Sequence, residues 1–407
     1  MMVGGRFAYM GAQGLALVAL ARLGSPEILG VYSLGLAVTA PVQQLFSLNL
    51  RHVLTTDVRG EHTWQTYRSL RDVTAILSVL VASLAAVLVG YTGDTLLAVL
   101  VLTLAKAVES QSDLVYGLMQ RQDRYSWLAL SMTLKGLAML CGVTAGLLLT
   151  GSAPGAATGT LLGWLAVYLL VDAPRARRLA PPGEADAADA WTLARRALPL
   201  GLMIMFVALQ TNAPRYFLER LHGPALLGYF SATAYVVTVM TAVTTTLSNA
   251  LLPRLADRLH LQGGTGFDRL LRQQALLATL ATLATTLAAI AAGDLFLGLL
   301  FGEDYAAWKW LLVGQTLVAL AAGLTAIVAN ATVATRHFRA LVGPSLLGVL
   351  VVGAAALWLV PDHGAYGAMG AALIGAVVVL VARALLLRRL RADGAVAAEV
   401  AVHVDGS

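Results

Sequence analysis

The sequence predicts an all-α integral membrane protein, with about 12 transmembrane helices in two six-helix lobes. Three observations carry this. Of the 407 residues, 58% are hydrophobic and 12% charged, whereas soluble domains hold about 45–50% and about 25%. Apolar stretches of membrane-crossing length recur along the whole chain, and Arg and Lys gather in every second connection between them. With a mean hydropathy of +0.76, the composition excludes a soluble enzyme and a disordered linker protein.

The opening stretch MMVGGRFAYMGAQGLALVALARLG carries Arg6 and then an apolar run. It lacks a small-residue cleavage site ahead of a polar segment, so it reads as the first membrane helix rather than a signal peptide. The first six spans fall at about 3–22, 27–49, 72–92, 95–118, 127–150 and 154–172, and the second six at about 197–217, 226–250, 273–300, 308–332, 341–360 and 365–386. The fourth is interrupted by KAVESQSD, and the ninth is long enough to tilt. With the N-terminus inside, the cytoplasmic connections collect Arg51, Arg59, Arg68, Arg71, Arg121, Arg124, Arg175, Arg177, Arg178, Arg195, Arg196, Arg254, Arg258, Arg269, Arg272, Arg336, Arg339 and the cluster from Arg383 to Arg391. The outside keeps little beyond Arg22, Arg215, Arg220 and Lys309. One missed span would invert this pattern downstream, so its regularity supports the count. The net charge of +6 is then a topology signal rather than a nucleic-acid footprint.

The domain reading is an N-lobe over 1–172, a cytoplasmic linker over 173–196, a C-lobe over 197–386 and a disordered cytoplasmic tail over 387–407. The linker PRARRLAPPGEADAADAW has the Pro, Gly and small-residue content of a hinge. Within the lobes, RLGSPEILGVYS (22–33) aligns with RLHGPALLGYFS (220–231) at a constant offset of 198, pairing Arg22 with Arg220, Pro26 with Pro224, Gly30 with Gly228 and Ser33 with Ser231. Both copies sit at the outer turn joining the first two helices of their half. Because each half holds an even number of helices, the halves enter the membrane in the same direction and are related by an axis along its normal. Two such bundles with a crevice between them are the geometry of alternating access.

Charges occur where lipid should be. Lys106, Glu109 and Asp113 in VLTLAKAVESQSDLVYG are three and four residues apart and share one helix face, which must meet water or partners inside the bundle. Counted at ~1.5 Å per residue from the cytoplasmic end, Glu109 and Lys135 lie at matching depth, which predicts a Glu109–Lys135 pair. One lysine and one acid would suffice to fasten two helices; the surplus lysine and carboxylate call for an anionic head group and a coupling ion. In LQTNAPRYFLER, Asn212 is placed to line a cavity beside the helix-disrupting Pro214, while Arg215 either faces that cavity or snorkels to the outer surface. Arg6 and Arg51, near inner helix ends, either follow the positive-inside rule alone or add to a cationic lining.

Other chemistries find no support. Cys141 is the single cysteine, so no disulfide framework or thiolate cluster is available. His52, His62, His222, His260, His337, His363 and His403 have no metal-ligand spacing with acids. Neither a GxxxxGK loop nor a GxSxG elbow occurs, and every outer loop is too short to hold a catalytic domain.

The segments PEILGVYSLGLAVTAPVQQLFSLNLRHVLTTD (26–57), KAVESQSDLVYGLMQRQDRYSWLALSMTLKG (106–136), NAPRYFLERLHGPALLGYFSATAYV (212–236) and LFGEDYAAWKWLL (300–312) together resemble the bacterial polysaccharide biosynthesis proteins. These include Wzx-type oligosaccharide flippases of the multidrug/oligosaccharidyl-lipid/polysaccharide superfamily. The resemblance implies a MATE-like pair of lobes in the bacterial inner membrane, with both termini cytoplasmic, that moves polyprenyl-diphosphate-linked oligosaccharide from the cytoplasmic to the periplasmic leaflet. It implies Arg51, Asp57, Lys106, Glu109, Asp113, Lys135, Asn212 and Arg215 as substrate or ion residues, H⁺ or Na⁺ as the coupling ion, and no other cofactor. Membrane lipids, and glycosyltransferases and a polymerase of the same pathway, are the implied partners. The alternatives are a MATE-type small-molecule exporter, a lipid II-type flippase, a major-facilitator sugar-phosphate transporter, and a membrane-embedded enzyme or scaffold of polysaccharide assembly.

Overall fold

A computed structural model describes residues 2–57, 60–261, 263–334 and 338–405, with side chains described except at 2–3, 249–250, 252–265, 334, 338–339 and from 393 onward. Arg59, Arg254, Arg258, Arg336 and Arg339 of the expected cytoplasmic clusters, and most of the 387–407 tail, lie outside the described side chains.

Among the described residues all regular structure is helical. The first half holds α1 (Met2–Leu23), α2 (Pro26–Ser47), the short α3 (Leu50–Thr56), α4 (Trp64–Val89), α5 (Gly93–Arg121), α6 (Tyr125–Thr150), α7 (Ala153–Val167) and α8 (Ala173–Leu179). A π-helical turn, Tyr168–Asp172, joins the last two. The second half holds α9 (Ala187–Leu261), α10 (Gly263–Phe301), α11 (Glu303–Ala306), α12 (Lys309–Ala334) and α13 (Val342–Asp405). Helix starts follow their sequence: Ser25 accepts from the Ile28 N–H ahead of Pro26, Thr63 caps α4 and Ser152 caps α7, each satisfying an orphan donor of the first turn.

Eight helices are long and apolar enough to cross a membrane. Two of these supply two crossings each. In α9 the first limb runs antiparallel to α2, with Gly201 against Leu45 and the Tyr216 hydroxyl donating to the Ala37 carbonyl at 2.6 Å. The backbone leaves helical geometry at Gly223 (φ 83°), and the second limb returns past α1, where the Tyr235 hydroxyl donates to the Met10 carbonyl. In α13 the break is at Gly364 (φ 52°), and the limbs fold together through Gly348 on Val379, Gly375 on Val352 and Gly367 on Leu359. Adding α1 and the charge-bearing α5, which the hydropathy criterion passes over, gives the twelve crossings expected.

Lipid-facing and packed surfaces separate cleanly. Leu80, Leu84 and Leu88 on α4, and Leu276, Leu280, Leu283 and Leu287 on α10, are exposed at helical spacing, as the rim of a bundle in hydrocarbon requires. Inside the first lobe α6 and α7 touch backbone to backbone: a Cβ on Gly142 would overlap the Gly159 carbonyl and one on Gly146 the Gly155 carbonyl, the small-residue packing that membrane helices use in place of a hydrophobic drive. Two apolar clusters span both lobes. One joins Ala16, Leu20 and Leu29 to Leu297, Phe301 and Tyr305; the other joins Leu34 and Val99 to Leu218, Leu227 and Phe230. Both lie toward the arginine-poor end of the bundle, where α1 ends and α2 begins. Toward the arginine-rich end the clusters are local, one around Leu50, Tyr67 and Leu114 with the start of α9, the other around Phe267 and Leu387.

Candidate functional site

Helical spacing puts Lys106, Glu109 and Asp113 on one face of α5, and that face lines a cavity of 420 Å³ together with Tyr9 of α1, Gln43 and Gln44 of α2, Arg51 of α3, Arg71 of α4 and Lys135 of α6. A second cavity of 290 Å³ shares Gln43, Gln44, Lys106 and Glu109 and adds Asn212, Arg215, Ser231 and Tyr235 from α9. The two form one polar path from the first lobe to the second. Seven of the eight expected residues meet on it; Asp57 does not.

Two ion pairs organise the first cavity. Lys106 Nζ donates to Glu109 Oε2 at 2.8 Å, and the Tyr9 hydroxyl donates to Glu109 Oε1 at 2.7 Å, so both carboxylate oxygens are occupied. Arg51 Nη1 donates to Asp113 Oδ1 at 3.1 Å, and its guanidinium lies 5.7 Å from the Tyr116 ring centroid. Arg51 reaches this position because Leu48 and Asn49, both at φ 48°, turn the chain sharply between α2 and α3. Such left-handed geometry at non-glycine residues costs on the order of 1–3 kcal/mol each and marks functional sites.

The expected Glu109–Lys135 pair is not formed. Lys135 is 2% exposed, its Nζ has no hydrogen-bond partner among the described residues, and it lies 5.5 Å from the Trp164 ring centroid and 5.7 Å from that of Tyr116. Depth counting compares levels along the membrane normal, not direction around it. Lys106, one turn earlier on the same helix, reaches Glu109 first. Lys106 also lies 5.2 Å from the Trp164 ring, so one indole serves two ammonium groups. Cation–π contacts of this kind contribute about 2 kcal/mol when desolvated, less than a buried ammonium loses on leaving water.

Asp57 lies away from the path, at the end of α3 on the arginine-rich face, in a 370 Å³ pocket with His62, Tyr67 and Arg196. It accepts from the backbone N–H groups of Glu61 at 2.9 Å and His62 at 3.3 Å. Burial works to raise its pKa, but these backbone donors outweigh burial and hold the carboxyl below the usual aspartate value. The loop it orders clasps the connection between the lobes: His62 Nδ1 lies 2.6 Å from Asp189 Oδ1, Gln65 donates to the Pro181 carbonyl at 2.9 Å and Arg196 to Glu61 at 3.0 Å.

Arg215 turns into the second cavity instead of snorkelling outward. Its Nη1 donates to Asn212 Oδ1 at 2.5 Å, Asn212 Nδ2 is held by the Ala208 carbonyl at 2.8 Å, and the buried Arg215 Nε has no partner among the described residues.

Sequence reading missed two charged groups. Arg71, 1% exposed, lines the first cavity and donates to the Ser47 carbonyl at 3.0 Å. Asp172 is fully buried; Ser131 Oγ donates to its Oδ1 at 2.5 Å, the Tyr116 hydroxyl lies 3.1 Å from the same Ser131 Oγ, and its Oδ2 is without a partner among the described residues. Both had been placed at the ends of spans, where charge needs no explanation. In the fold α4 begins seven residues before Arg71, and Asp172 closes the π-helical turn, an element often found at functional positions. In all, Arg51, Arg71, Lys106 and Lys135 face only Glu109 and Asp113 across the first cavity, an excess of two positive charges in a space that low-dielectric walls keep from bulk screening.

Comparison with known proteins places the chain in a family. A search of curated proteins finds the capsular polysaccharide biosynthesis protein CapF of Staphylococcus aureus, 25% identical over 297 residues, covering 72% of this chain and 73% of that protein. Among solved structures the chain is similar in fold to the lipid II flippase MurJ in an inward closed conformation, with a TM-score of 0.73 at 11% identity, covering 95% of this chain and 87% of that one. It is similar too to an inward-facing multidrug resistance MATE transporter of the MOP superfamily, with a TM-score of 0.68 at 12% identity, covering 96% and 95%. The family model described as polysaccharide biosynthesis protein matches residues 2–258, the entire first lobe and both limbs of α9 nearly to their end, and the chain belongs to that family.

Proposed function

We propose that the protein translocates a polyprenyl-diphosphate-linked oligosaccharide across the bacterial inner membrane for cell-surface polysaccharide synthesis, by ion-coupled alternating access of its two lobes. The observation that carries the reading is the excess of positive charge in the shared cavity, centred on a buried lysine, Lys135, whose Nζ has no hydrogen-bond partner among the described residues. A diphosphate diester is the anionic part of such a lipid. Its head cannot cross hydrocarbon unaided, whereas a cationic cavity between lobes receives the head while the tail stays in lipid. In this reading the arginine-rich end is cytoplasmic. The head enters past Arg51, engages Lys106 and Lys135, and passes toward Arg215 in the second cavity.

The geometry also supplies a route to coupling. Lys106 neutralises Glu109 at 2.8 Å. A diphosphate that draws Lys106 away leaves Glu109 without its counter-charge, and H⁺ or Na⁺ then takes that place. Arg51 and Asp113 offer the same exchange at 3.1 Å.

The test is translocation of a lipid-linked glycan in reconstituted vesicles, read as access of an added glycosidase or lectin to the sugar, alongside accumulation of that lipid on the cytoplasmic leaflet after gene deletion. The expected result is ion-gradient-dependent translocation that is lost in Lys106→Gln/Lys135→Gln. Retention of full activity by that variant refutes the assignment. Efflux of a cationic drug without glycan movement gives the exporter reading instead.

A further inference from the structure

The two copies of the internal repeat meet each other. A Cβ placed on Gly30 would overlap the carbonyl oxygen of Pro224, and one placed on Gly228 would overlap the carbonyl oxygen of Pro26. With the offset of 198 residues these are the same contact seen from either side: each repeat's glycine receives the other repeat's proline carbonyl. A self-complementary contact of this kind lies on the symmetry axis that relates its halves. Here that axis is the pseudo-twofold between the lobes.

We infer that this glycine–proline seam is the gate that closes the transport path at the arginine-poor end, and that Arg22 is its latch. The inference rests on the two-lobed transporter reading but on no particular substrate. Two further observations converge on it. Arg22, the last basic residue of α1, reaches across to the final turn of α10 and donates to three of its carbonyls: Gly298 at 2.8 Å, Leu299 at 2.5 Å and Leu300 at 3.1 Å. These carbonyls belong to the C-terminal turn of the helix, where a cation is favoured; that of Gly298 also accepts from the Gly302 N–H at 3.2 Å. Second, the apolar clusters that span both lobes lie at this end, so closure at the seam also excludes water from above the second cavity. Among the described residues, the contacts that would have to part for the path to open on this side include the seam, the latch, these clusters and the hydrogen bond from the Tyr216 hydroxyl to the Ala37 carbonyl.

The seam is built to separate. Backbone-to-backbone contact carries no interlocked side chains, so two smooth helix faces part without repacking, and only glycine permits the approach. Arg22 is exposed and can hydrate as it lets go.

The experiment measures closure directly, without substrate. In a Cys141→Ser background, a reporter Ser231→Cys is placed in the second cavity, where Ser231 is buried. Its alkylation by a membrane-impermeant maleimide is timed from each face of oriented proteoliposomes. Gly30→Ala and Gly228→Ala each force a Cβ against backbone, and each is expected to raise the rate from the arginine-poor face by about tenfold, as an overpacked contact demands, while lowering it from the arginine-rich face. Arg22→Gln, which disturbs no packing, is expected to shift both rates in the same directions by a smaller factor. Gly11→Ala, with open space around its Cβ, is expected to change neither. Misfolding raises both rates together, so the opposed changes identify a gate. Unchanged rates in Gly30→Ala and Arg22→Gln overturn the inference, as does an equal rise from both faces in Arg22→Gln. Since no lipid-linked glycan is present, those results leave the translocation reading to its own assay.

Discussion

Replacing Lys135 by methionine separates a lysine that serves transport from one that holds the fold together. Lys135 is 2% exposed, without a hydrogen-bond acceptor among the described residues, and its contacts are two ring faces at 5.5 and 5.7 Å, with Glu109 and Asp172 acting only at longer range. Two such contacts return about 4 kcal/mol at most, against a desolvation cost of several kcal/mol for a buried ion. Methionine matches the length and packs against aromatic rings, so Lys135→Met is expected to stabilise the detergent-solubilised protein by about 1–3 kcal/mol, in the range seen when buried charge gives way to apolar packing. Transport moves the other way. One charge-assisted contact to the diphosphate contributes about 1.5–3 kcal/mol, so translocation is expected to fall by about 10- to 100-fold. The assays are a thermal melt and the vesicle translocation measurement on the same preparation. A lower melting temperature together with normal translocation refutes the reasoning, because it makes Lys135 a structural fastener.

The remaining predictions concern neighbouring groups. Lys106→Gln strands Glu109 beside Tyr9 and is expected to lower stability by about 1–3 kcal/mol; adding Glu109→Gln is expected to restore the melt but not translocation, and recovery of both would show that the pair only fastens α5. Asp172→Ala removes the acceptor of Ser131 and is expected to destabilise the first lobe by about 1–3 kcal/mol, with Asp172→Asn closer to wild type; equal melts for all three proteins would show that the network contributes nothing. Because Asp57 is held below the ordinary aspartate value of 3.8, its hold on the Glu61 and His62 amides is present above that pH and is lost as pH falls through its own lower pKa. The protection factors of the Glu61 and His62 amides, taken relative to their intrinsic exchange at each pH, are therefore expected to fall on acidification in the wild type and to be low at every pH in Asp57→Ala; identical protection profiles for the two proteins count against the role of the carboxylate.

Much of the architecture was readable because a bilayer enforces it. Spans must be long and apolar, and Arg and Lys must fall on alternate connections, so the twelve crossings could be counted even though Gly223 and Gly364 hide two of the turns within continuous helical segments. The charged face of α5 was readable for the same reason: Lys106, Glu109 and Asp113 are costly in lipid wherever the helix points. Choosing the partner of Glu109 was beyond that logic, since Lys106 and Lys135 satisfy equally well a criterion of depth. Arg71 and Asp172 escaped because a charge at the edge of an apolar run looks like a boundary, and only the observed helix start at Trp64 and the π turn move them inward. Asp57 joins the cavity residues only through the family resemblance. The end of α3 intervenes, and its backbone donors turn Asp57 toward the linker instead.

The contact of α6 with α7 has a mechanical corollary. Gly163 on Ala138, Gly142 on Gly159 and Gly146 on Gly155 repeat the close approach along both helices, where the seam of Gly30 and Gly228 is a single crossing, so the pair is expected to shift as one unit carrying Lys135 and Trp164. Among the described residues, the glycine breaks that turn one helical segment back on itself, at Gly223 and Gly364, fall in the other half of the chain. Such a cradle would preserve the 5.5 Å spacing of the Lys135 ammonium and the Trp164 ring while the helices around it rearrange.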